Sequence, residues 1–217
     1  MTGSRRPVLR ELAAAGMLPK VARWEPVITG WFLAAGVLLW KAHDAQDAAD
    51  RATVLRVVAL VLVIGVVNLV DDDAATVLAP VPVPLAWRRG VRVALAAGAV
   101  AAPWAAALLW VSPGPLTAAL TLECAALAAF GLAVAGGVAR WSDAREAGLA
   151  AGPAVLAAGI AALLLPARWA MLARPDADWR DAHLRWAAVL LIALAVLVHT
   201  LRDPARRRMR LHQTSKS

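Results

Sequence analysis

The chain has 217 residues, 61% of them hydrophobic, with 23 Lys and Arg against 15 Asp and Glu and a formal net charge of +8. A soluble domain of this length is closer to half apolar, so the excess is expected to face lipid. The single Cys124 excludes an internal disulfide and a CxxC metal site. The basic residues lie in short stretches between apolar runs, which points to membrane orientation rather than to nucleic acid.

The first apolar run begins only near Pro26, behind a basic and amphipathic leader, and no small-x-small cleavage site follows that run, so no signal peptide is expected. Within that leader, Leu9, Leu12, Ala13, Gly16 and Met17 share one helical face while Arg6 and Arg10 lie off it. This spacing predicts a short amphipathic helix over 7–18, lying in the membrane interface. Six spans follow, at about 24–40, 52–70, 91–111, 115–138, 148–171 and 183–201, each near the roughly 20 residues a crossing needs. The expected fold is therefore an all-α integral membrane protein. Residues 1–23 form a cytoplasmic leader, 24–202 a six-helix membrane domain and 203–217 a basic cytoplasmic tail. With the N-terminus inside, 16 of the 23 Lys and Arg fall in inner segments and 7 in outer ones, which places both termini in the cytoplasm. Alanine, valine, leucine and arginine dominate over lysine and isoleucine, a composition that resembles a GC-rich bacterial genome, so a bacterial inner membrane is the expected location.

The outer connections differ in length. SPGP between the third and fourth spans is a tight turn, and the long connection before the sixth span carries Trp169, Trp179 and Trp186 as interfacial anchors. The inner connection DDDAATVLAPVPVPLAWRRGVR, residues 71–92, is different in kind. An aspartate there N-caps one or two helical turns over 74–79. Pro80, Pro82 and Pro84 forbid a longer helix, and Arg88, Arg89 and Arg92 open the third span. A plain inner loop accounts for the arginines and leaves the aspartates and alternating prolines without a role.

In this stretch the chain resembles the membrane subunits of ABC exporters of the drug-, lipid- and polysaccharide-export type. Asp72, Asp73, Thr76, Val77, Pro84, Arg88 and Arg89 stand where that family carries the coupling helix that docks on its ATPase. Ala75 replaces the family's Gly and Leu78 its Glu, and Pro80 and Pro82 are additional. The resemblance implies an amphipathic N-terminal helix, six spans, a separate ATPase subunit that binds ATP and Mg, and a second permease copy or a paralogue. No cofactor is expected in this chain itself: it has no GxxxxGK[ST], HExxH or GxSxG. A non-transporting scaffold or assembly factor is the alternative, followed by an intramembrane enzyme.

Within the spans, Glu123 is the one deeply placed carboxylate, and an ionisable group there is a functional candidate. Asn68 and Thr121 are its expected polar company, through a protonated carboxyl bonded between helices. Arg56 is expected to snorkel to the interface. Gly148, Gly152 and Gly159 leave one face of the fifth span nearly bare, suited to close helix packing. His43 and His183 near the outer face are read as structural rather than as metal ligands.

Overall fold

A computed structural model describes residues 23–41, 43–45, 47–70, 85–141, 147–166, 169, 171–172 and 179–201. Among these residues are six α-helices: α1 (Glu25–Lys41), α2 (Ala48–Val66), α3 (Leu85–Val111), α4 (Thr117–Trp141), α5 (Ala147–Leu164) and α6 (Trp179–Leu201). Short 3₁₀ turns extend α2 over Val67–Val70 and precede α4 over Gly114–Leu116. There is no strand among the described residues.

Five of these helices, α2 to α6, are long and apolar enough to cross a membrane. The expected first span differs: α1 has 17 residues, about 25 Å at 1.5 Å per residue, against a hydrocarbon core of roughly 30 Å. The fifth helix also stops earlier than its apolar run suggests, at Leu164 rather than Met171. Pro166 has no N–H to continue the helical ladder, and the Trp169 N–H closes a turn onto Pro166 O instead. The amphipathic helix expected over 7–18 lies outside the described residues. So do the turns expected over 74–79, with Asp72, Asp73, Thr76, Val77, Leu78 and Pro84.

α2 is the central helix, packing against α1, α3, α4 and α5, while α4 packs along α6. Its side chains Leu55, Val58, Leu62 and Val63 are almost wholly buried. The outer faces are as apolar as the core. Phe32 and Leu39 on α1, Leu163 and Leu164 on α5, and Leu191 and Ile192 on α6 are all exposed. Apolar surface on this scale needs lipid against it, so the chain is a membrane-embedded helical protein.

Two details explain how α1 is held despite its length. Gly30 and Gly65 meet where α1 crosses α2: a Cβ on Gly65 would lie 2.8 Å from Pro26 O and 3.3 Å from Gly30 Cα. The backbones come this close because neither residue has a side chain. The second detail begins with Pro103 inside α3. Its missing N–H leaves the carbonyl of Ala99, four residues earlier, without its helical donor. Trp31 of α1 fills the gap, its Nε1–H donating to Ala99 O at 2.9 Å.

The arginine-rich end of the bundle is knitted by carbonyl contacts. Arg89, in the second turn of α3, donates to Thr200 O at 2.9 Å and to Ala139 O at 3.3 Å. Arg92 donates to Val70 O at 3.4 Å, and Arg140 to His199 O at 3.1 Å. These carbonyls belong to the last turns of α6, α4 and the α2 extension, where carbonyl oxygens lack intrahelical donors and the helix dipole favours a cation. The expected third span begins at Val91, but the helix begins at Leu85, so these arginines sit within its first turns.

Candidate functional site

α2, α4 and α6 each bring one ionisable side chain to the same point. Arg56 and Glu123 form a two-pronged ion pair: Nε donates to Oε2 at 2.7 Å and Nη2 to Oε1 at 2.8 Å. The carboxylate is almost fully enclosed, with its side chain 3% exposed against 16% for Arg56. A planar guanidinium matches a carboxylate in this geometry. Arg56 therefore does not snorkel to the interface. It is the counter-charge of Glu123.

His183 of α6 approaches from the third side. Its Nδ1 lies 2.7 Å from Trp179 O, one turn earlier. A carbonyl only accepts, so Nδ1 carries the hydrogen of that bond. Its Nε2 stands 3.1 Å from Glu123 Oε1, but the approach is off-line and no hydrogen bond forms. The imidazole is thus an electrostatic neighbour of the carboxylate, and the two-pronged contact with Arg56 is the stronger interaction. Trp179 covers the cluster, with its ring centroid 4.2 Å from that of His183 and 5.7 Å from Arg56 Cζ. The second distance is within the range at which a guanidinium is attracted to an indole face.

The cluster sits toward the end of the bundle opposite the arginine-rich one. Glu123 is in the second turn of α4, Arg56 in the third turn of α2 and His183 in the second turn of α6. At 1.5 Å per residue these positions are about 6–12 Å from the helix starts.

The other candidates are placed elsewhere. The Asn68 amide donates to Ile64 O and Gly65 O of its own helix, not to Glu123. Thr121 donates to Thr117 O and accepts from Trp104 Nε1, not from Glu123. Gly148 and Gly152 are buried. A Cβ on Gly152 would meet Ile64 at ordinary contact distance, and one on Gly159 would lie 3.2 Å from Leu60 Cδ1. The bare face of α5 is thus turned toward α2. Arg88 holds Nε and Nη1 buried without a hydrogen-bond partner, whereas Arg89 is committed to carbonyls of two helices. His43 lies in the turn after α1. No group of three or more metal-ligating side chains converges among the described residues.

The Arg56–Glu123 pair is what reasoning on the sequence missed, though a signal was there. A base and an acid each inside an apolar run have few ways to avoid the cost of lipid except by meeting. Comparison with protein-family models, with curated proteins and with solved structures found no match.

Proposed function

We propose that this chain is the membrane subunit of an ATP-driven ABC export system, with ATP and Mg bound by a separate ATPase subunit and two permease chains, identical or paralogous, completing the assembly. In this reading the arginine-rich end faces the cytoplasm of a bacterial inner membrane, α1 is the shortest of six spans, and 71–84 is the coupling segment. The observation that carries the reading is the way that segment is anchored. The chain leaves it at Leu85, and within two turns Arg89 and Arg92 fasten α3 to the last turns of α6, α4 and the α2 extension. The helix that follows 71–84 is therefore tied to the ends of three others. The acidic and proline-rich composition of 71–84 suits a docking surface better than a simple reversal, for which four residues such as SPGP suffice.

The test is purification in mild detergent. The intact protein is expected to carry with it a polypeptide bearing a P-loop. The double substitution Asp72→Lys and Asp73→Lys is expected to release that polypeptide while the variant still inserts and melts like the parent. A well-folded protein that never brings an ATPase with it would favour the scaffold reading instead.

A further inference from the structure

Arg56 also lines a cavity of about 340 Å³ in the half of the bundle that holds the ion pair. Its apolar walls come from Leu60 of α2, Leu127 of α4, Ile160 and Leu163 of α5, and Trp186 of α6. Gly159 lines it too, and its lack of a side chain keeps the space beside Leu60 open. Asp50 and Thr53, from the first turns of α2, supply the remaining polar lining.

The charges in this cavity do not cancel. Arg56 is neutralised by Glu123 through both prongs of its guanidinium. Asp50 is not neutralised: its backbone N–H donates to Asp47 Oδ1 at 2.7 Å, and among the described residues its carboxylate has no hydrogen bond or ion pair. The chamber is thus hydrocarbon and indole over most of its wall, with one uncompensated negative charge at its polar side. Carboxylate and aromatic surface both favour a cation, and aliphatic walls favour a hydrocarbon body. The volume is at the small end of the range for ligand pockets.

We propose that this cavity is a binding site for a small amphipathic organic cation, with the ammonium group beside Asp50 and the hydrocarbon part among Leu60, Ile160 and Leu163. Binding itself is independent of the exporter reading, which enters only in making the bound cation a cargo.

The experiment titrates the full-length protein in lipid nanodiscs with benzyltrimethylammonium and with benzylsulfonate, an anion of similar size, subtracting empty nanodiscs. The cation is expected to bind roughly tenfold more tightly than the anion, since reversing the charge turns attraction into repulsion. Asp50→Asn is expected to weaken cation binding roughly fivefold, the scale of one partly exposed ion pair, with the melting temperature unchanged. Gly159→Leu, which puts a side chain into the chamber, is expected to abolish binding. Equal binding of the two ions, no binding of the cation by folded protein, or an Asp50→Asn variant that binds like the parent would each overturn the proposal. No ATPase enters this measurement, so failure of the site leaves the exporter reading standing, and absence of an ATPase leaves the site standing.

Discussion

Glu123 has a different cost of replacement once its partner is known. A lone carboxyl that hydrogen-bonds to a neighbouring helix tolerates Gln. A carboxylate gripped by Arg56 does not, because Glu123→Gln leaves a guanidinium in an apolar enclosure without its counter-charge. Removing one member of a buried pair costs about 3–5 kcal/mol, whereas replacing both by apolar groups of similar size is often nearly neutral. Glu123→Gln and Arg56→Met should therefore each lower the melting temperature strongly in detergent. The combined Arg56→Met and Glu123→Leu variant should recover most of that loss. A Gln variant that melts like the parent would remove the pair from the stability of the bundle. The pair was partly legible in the sequence, as one acid and one base inside otherwise apolar spans. What the sequence could not supply was proximity: 67 residues separate them, and only the packing of α2 on α4 decides that they meet.

At the level of elements, α1 and α3 are joined by a defect and its repair. Pro103 removes a donor, and Trp31 supplies one from another helix to Ala99 O. Trp31→Phe keeps the ring but loses the N–H, and should cost about 1 kcal/mol, the scale of a net hydrogen bond. Pro103→Ala restores an N–H at position 103 that can reach Ala99 O along the helix. In that background Trp31→Phe should cost clearly less. Thermal melts of the two single variants and the double give the coupling, and strictly additive losses would mean the indole contact is incidental. Such a joint is hard to foresee, because a proline inside an apolar run signals a broken ladder but not which side chain completes it. The glycines show the same limit. The sequence pointed to α5 for close packing through Gly148, Gly152 and Gly159. A further close backbone approach lies between Gly30 and Gly65, which form no motif because they lie on different helices. Among the described residues helix existence was readable, since runs of apolar residues with Gly and Pro at their ends leave few alternatives. Helix ends were less so: α5 stops before Pro166 although apolar residues continue past it.

For the whole molecule, the arginines do two jobs with one charge. Their asymmetry sets the expected orientation, and three of those at the arginine-rich end also satisfy carbonyls at helix C-termini. The bonds from Arg89 and Arg92 tie the helix that follows the segment assigned by the exporter reading to ATPase docking to the ends of its neighbours. Orientation and partner are tested together by a photoreactive amino acid placed singly at Ala75 and, as the control, at Ala177. Illumination of intact cells is expected to yield an adduct only from position 75, and peptides from its partner should contain the GxxxxGK[ST] loop of an ATPase. Impermeant thiol reagents should label a cysteine at Asp44 from outside, in a Cys124→Ser background, and should not label one at Ala75. An adduct at position 75 that contains no ATP-binding polypeptide, or labelling of Ala75 from outside, would contradict the assignment of 71–84 as the coupling segment of an exporter.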